Sequence, residues 1–162
     1  MAFSGRPRKC DPKVADLRYN IRTGNYHKAK QTLEEFGIDA TDGDARTALI
    51  SAVNENKLDF IEWCLQNGAN INHQDRSGYS ALHFIAQDKQ VDLVNYFLKN
   101  GANPNLKDNH GNTPCMVAVH GSRFEKRILQ ALIKYGANPD IANNYGVTPR
   151  DLFRTINHVD LA

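Results

Sequence analysis

Apolar residues fall along this chain in short runs at helical spacing, parted by polar stretches that end on glycine. In "LDFIEWCLQNG" (58–68) Leu58, Ile61 and Leu65 recur every three or four residues, and "VDLVNYFLKNG" (91–101) repeats the arrangement with Val91, Val94 and Leu98. That spacing predicts amphipathic helices, and Gly68, Gly101 and Gly136 predict where each one stops. A second kind of run precedes each of them: "TALISAV" (47–53), "SALHFIA" (80–86), "TPCMVAV" (113–119) and "TPRDLF" (148–153). Thr47, Ser80, Thr113 and Thr148 carry hydroxyls that can cap the free N–H groups of a helix. Pro114 and Pro149 stand at the first helical position, where a missing N–H costs nothing. The pattern therefore predicts pairs of helices, with Gly78, Gly111 and Gly146 at the bend of the stretch that joins one pair to the next.

The pairs recur at a fixed distance. Gly68 and Gly101 lie 33 residues apart, as do Thr47, Ser80 and Thr113, and as do Asp42, Asp75 and Asp108. Gly101 to Gly136 and Thr113 to Thr148 each span 35, so two residues are inserted between Thr113 and Gly136. A constant period of this length marks a stacked repeat, because one helix pair cannot bury its apolar face alone. With these openings and this period, the chain resembles the ankyrin-repeat family over about residues 13–162. The resemblance implies an all-α solenoid of about five helix-turn-helix repeats, at 13–41, 42–74, 75–107, 108–142 and 143–162, with projecting finger turns. Residues 1–12 are left as a basic, mobile N-terminal arm.

The outer repeats are degenerate. Leu17 and Ile21 fall in register with Leu82 and Ala86, and Gly24 marks the inter-helix turn, but the hydroxyl opening is missing. Arg18, Arg22, Lys28 and Lys30 suit the outward face of a capping repeat. At the other end "NHVDLA" (157–162) reads as a second helix that stops early, which is expected of a natural cap; a fragment of a longer scaffold protein is the alternative.

Composition adds limits. The 162 residues are 41% hydrophobic and 23% charged, as in an ordinary globular protein. No apolar run approaches the ~18 residues of a membrane span, and "MAFSGRPRKC" lacks a signal-peptide core, so a cytoplasmic location is expected. Three cysteines without paired spacing fit a reducing compartment. The net charge of +2 is unevenly placed: residues 1–36 hold eight basic and four acidic side chains, and residues 37–75 hold two and seven. Such a division can orient a charged partner.

Candidate chemistry is sparse. Cys64 aligns with Phe97 and Leu132, and Cys115 with Leu49 and Leu82, so both thiols are expected in the core as small hydrophobes. The resemblance implies that His83, at the His of the family's opening motif, orders a finger and the helix after it. His110, Cys115 and His120 fit no compact zinc spacing, and "DNHGN" (108–112) lacks the alternating carboxylates of a calcium loop. No phosphate-cradling loop or Ser/His/Asp set stands out, so neither an enzyme nor a metal or cofactor is expected. The arm carries Arg6, Arg8, Lys9 and Lys13 but only Phe3 as an aromatic, and no reader motif points to nucleic acid.

Protein binding is the remaining class. Skeleton residues repeat while those between them vary, which is how a solenoid displays a recognition surface. At the fingers the variable positions are Asp44 and Arg46, then Arg76, Ser77 and Tyr79, then Asn109, His110 and Asn112, then Asn144, Tyr145 and Val147. At the ends of the first helices they are Asn54 and Glu55, Gln87 and Asp88, and His120, with Arg123 in the insertion. The resemblance implies a protein partner bound along the concave, finger-bearing face of a monomer. The simplest action is stoichiometric occlusion of that partner, as by an immunity protein, antitoxin or other inhibitor. An adaptor or an IκB-like inhibitor of a transcription factor is the alternative. Tyr79 and Tyr145, aromatics with no evident core to fill, are the expected anchors.

Overall fold

The computed structural model describes residues 10–120 and 126–157, and every regular element among them is a helix. The chain divides into two compact units, Met1–Arg76 and Ser77–Ala162. The first holds α1 (Pro12–Ala15), α2 (Leu17–Arg22), α3 (Tyr26–Phe36), α4 (Ala48–Asn54) and α5 (Leu58–Gln66). Its α2 packs on α3 and α4, and α4 packs on α5. The second unit holds α6 (Ala81–Gln87), α7 (Val91–Lys99), α8 (Pro114–Val119), α9 (Lys126–Lys134) and α10 (Pro149–Asn157). There α6 packs on α7 and α8, α9 on α7 and α8, and α10 on α8.

The helices start where the hydroxyls stand. Thr47 Oγ1 accepts the Ile50 N–H at 3.3 Å, and Thr113 Oγ1 accepts that of Met116 at 3.4 Å. Thr148 Oγ1 accepts the Asp151 N–H at 3.0 Å and donates its own hydroxyl to the Asp151 carboxylate at 2.6 Å. Ser80 works through His83: its backbone N–H donates to His83 Nδ1 at 3.1 Å. That nitrogen must therefore be the acceptor, so Nε2 carries the proton and donates to the Asn112 carbonyl at 3.2 Å. His83 is fully buried and ties a finger to a helix start, the ordering role expected of it.

The two helices of a pair bury different amounts. Residues 48–53 of α4 and 114–119 of α8 are buried throughout, which explains why Ser51 alone interrupts their apolar sequence. The second helices bury one stripe: Phe60, Ile61 and Cys64 in α5, then Leu93, Val94, Phe97 and Leu98 in α7. The stripe expected in α5 is corrected by this. Leu58 is 52% exposed because it is the first residue of α5, while the buried stripe is centred further on, at Phe60–Ile61–Cys64. Cys64 and Cys115 are buried as expected, and burial pushes both thiols up to about 12.

The first repeat adds contacts that the sequence did not show. Arg18 is exposed and Lys30 half-buried, and both also bind within the unit. Arg18 Nε donates to Glu55 Oε1 at 2.9 Å, and the Lys30 ammonium sits 4.8 Å from the centroid of the Trp63 ring. The cations join α2 to the end of α4 and α3 to α5. Residues 1–9 of the arm lie outside the described residues; Asp11 caps α1, taking the Lys13 N–H at 2.9 Å.

Candidate functional site

The fingers are built on a repeated side-chain acceptor. Asp42 Oδ1 takes the N–H groups of Asp44 and Arg46 at 2.8 and 3.0 Å. Asp108 Oδ1 takes those of His110 and Asn112 at 2.8 and 2.7 Å. Asn143 Oδ1 takes those of Tyr145 and Val147 at 3.0 and 3.1 Å. A short acceptor that bends the chain over itself is the reason Asp or Asn recurs at this register. Backbone bonds then hold each finger to the next within a unit. The Arg76 N–H reaches the Asp44 carbonyl at 2.9 Å in the first unit. In the second, Asn109 reaches Ser77 at 3.0 Å and Asn144 reaches His110 at 2.9 Å.

This scaffold divides the expected binding residues into two sets. Asp44, Arg76, Ser77, Asn109, His110, Asn144, Tyr145 and Val147 are exposed, as are Gln87, Asp88 and His120 at the first-helix ends. Arg46, Tyr79 and Asn112 occupy one register position and are held inside the array. Arg46 Nε donates to Asp75 at 3.1 Å, a carboxylate whose side chain is only 2% exposed. Asn112 bonds both Asp108 and Asn143. The Tyr79 ring packs 5.1 Å from both the His83 and Phe84 rings. Tyr79 is therefore half-buried with a packing duty, not a free tip, because its ring covers the helix start at His83. Asn54 is half-buried, Glu55 is half-buried against Arg18, and Arg123 lies outside the described residues.

Within the Ser77–Ala162 unit these positions converge on one recess of about 570 Å³. Finger residues Tyr79, His110, Asn112, Tyr145 and Val147 form one side, and Gln87 and His120 come from the first helices. Met116, Val117 and Leu152 supply an apolar floor, and Asn143 completes the lining. The His110 and Tyr145 rings stack at 6.5 Å with 19° between their planes, and Tyr145 is 74% exposed. The floor escaped the sequence reading because Met116, Val117 and Leu152 look like core residues. Asn143 was readable, since it stands 35 residues after Asp108, in the Asp42–Asp75–Asp108 register.

A family model described as ankyrin repeats in three copies matches residues 17–108 and again residues 82–153. The chain belongs to the ankyrin-repeat family. Ankyrin repeats are a non-catalytic protein-binding module, and the all-α solenoid expected from the period is the fold of this chain. A mouse (Mus musculus) protein named B-cell lymphoma 3 protein homolog is 43% identical over 104 residues. That match covers 63% of this chain and 23% of the mouse protein, so it spans less than a quarter of that relative. No helix among the described residues is long and apolar enough to cross a membrane.

Proposed function

We propose that this ankyrin array binds a partner protein in the recess of the Ser77–Ala162 unit and acts by covering the partner's active or docking surface. The observation that carries this reading is the convergence of Tyr79, Gln87, His110, Asn112, His120, Tyr145 and Val147 on one apolar-floored recess. An exposed aromatic beside an apolar floor and a polar rim is the composition of an interface centre. The array, taken as residues 13–162, works without catalysis or cofactor as a cytoplasmic monomer. Its action is that of a stoichiometric inhibitor of the immunity-protein or antitoxin kind. The contact follows the concave, finger-bearing side of the Ser77–Ala162 unit, where His110, Tyr145 and Val147 are exposed.

A photo-crosslinking side chain at position 145, compared with one at Asp59 on α5, tests the reading in cells of the source organism. Capture of one protein from position 145 and not from position 59 is expected. That protein, purified, should lose its activity as one equivalent of the array is added. Equal capture from both positions would remove the recess from the account. Capture without inhibition would replace occlusion by an adaptor role.

A further inference from the structure

The polar groups around the recess are not equivalent. Asn143 donates to Asn112 at 3.0 Å and accepts two finger N–H groups, and Asn112 donates to Asp108 at 3.2 Å. Their amides hold the finger and are committed to it. Gln87, His110 and His120 are exposed at the rim, His110 steadied by its stacking on Tyr145. Among the described residues, no lining side chain bears a carboxylate, an ammonium or a guanidinium. Of the neighbouring acids, Asp108 is buried and takes the N–H groups of His110 and Asn112. Asp151 accepts the Thr148 hydroxyl at 2.6 Å, and Asp88 stands exposed at the end of α6.

The exposed rings of His110 and His120 offer N–H donors to whatever enters the recess. A carboxylate entering the recess meets N–H donors, while a lysine or arginine meets no counter-charge among the described lining residues. The floor of Met116, Val117 and Leu152 asks for a large aliphatic or aromatic side chain. The volume of about 570 Å³ is sufficient, lying inside the roughly 300–1,000 Å³ span of recesses that enclose organic ligands.

We infer that the recess takes an acidic–apolar segment of a partner protein: a large apolar side chain on the Met116–Val117–Leu152 floor, flanked by Asp or Glu received by His110 and His120. This rests on the reading of the recess as the partner seat. The probe is a phage-displayed library of random dodecapeptides, panned on the full chain near neutral pH. Enriched peptides are then synthesised with a fluorescent label and titrated by anisotropy. They should pair Leu, Phe or Trp with adjacent Asp or Glu. Changing those acids to amides should weaken binding about three- to tenfold, and His110→Ala and His120→Ala should each cost about the same. The amide peptides should be indifferent to either histidine change. Melting curves of the variants establish that each is folded. Enriched peptides that bind equally well without their acids, yet lose affinity to Tyr145→Ala, would overturn the acidic preference and leave the recess standing. Peptides indifferent to Tyr145→Ala and Leu152→Ala would overturn the recess as well, as would a library in which nothing is enriched.

Discussion

The two units use the same register positions for different ends. In Met1–Arg76, Arg46 is held by Asp75 and Glu55 by Arg18, so the polar groups at a finger and at a first-helix end are spent inside the protein. In Ser77–Ala162, Gln87, His110, His120 and Tyr145 stand open around an apolar floor. The fingers differ too. The second unit places Gly78, Gly111 and Gly146 at the bend with φ of 81°, 77° and 75°, whereas the first unit has Ala45 there at φ 58°. A period fixes the backbone of every repeat, but the side chains decide which repeat recognises anything.

The largest expected effect sharpens the contrast among the glycines. A Cβ on Gly111 would come within 2.7 Å of the Asn144 backbone nitrogen, and one on Gly78 within 2.7 Å of that of Asn109. A Cβ on Gly146 would meet nothing within 4 Å. Gly111→Ala should cost about 3 kcal/mol or more, since it must break finger stacking, while Gly146→Ala should cost only the left-handed backbone strain of about 1 kcal/mol. Denaturant melts of both variants check this; equal losses would mean that the fingers do not press on one another.

A smaller effect lies in α2 of the first unit. Asn20 is 2% exposed, and its side-chain nitrogen has no hydrogen-bond partner. It stands in register with Ile85, an apolar position in α6. Asn20→Leu removes a buried donor left unmade and should stabilise the protein by about 1 kcal/mol, read from the denaturation midpoint. A loss of stability would show that the amide serves a purpose there.

Ala45→Gly should give the first unit's finger the same bend residue as the fingers of the second. Alanine at φ 58° is strained, and glycine removes that strain but loosens the unfolded chain. The net gain should be about 0.5 kcal/mol, with partner affinity unchanged. Destabilisation would place the Ala45 methyl among the packing contacts of the finger.

The least change is expected at the thiols, which treat both units alike. Cys64 and Cys115, pushed up to about 12 by burial, should resist alkylation in the native state at pH 9.5, where Cys10 reacts. A folded thiol that keeps its proton where the unfolded one loses it makes stability fall as pH rises from the ordinary 9.0 toward 12. Alkaline melts of Cys64→Val should show a shallower decline than the parent.

Local signals carried much of this into the sequence. Thr47, Thr113 and Thr148 announce their helices because a cap and its target lie three residues apart. Asp42 and Asp108 announce their fingers because an acceptor and its donors lie two and four residues apart. What stayed hidden depends on pairs far apart along the chain. Arg18 meets Glu55 across 37 residues and Arg46 meets Asp75 across 29, so neither bond was legible, and Arg46 read as a free tip where the fold holds it. The floor of the recess stayed hidden for a different reason: Met116 and Val117 are only 4% and 8% exposed, and nothing in an apolar run marks which members border a cleft. Tyr79 and Tyr145 looked alike as finger aromatics, yet only Tyr145 lacks a helix start to cover.

Partner affinity of two finger variants tests the difference between the units most directly. Asp44→Ala alters an exposed tip of the first unit, and Tyr145→Ala alters the open aromatic of the second. Each should change stability by no more than about 0.5 kcal/mol. Titrated against the captured partner, Tyr145→Ala should lose about 2 kcal/mol, roughly thirtyfold, while Asp44→Ala stays within about twofold of the parent. A thirtyfold loss at Asp44 with Tyr145 unaffected would contradict the account and move recognition to the first unit.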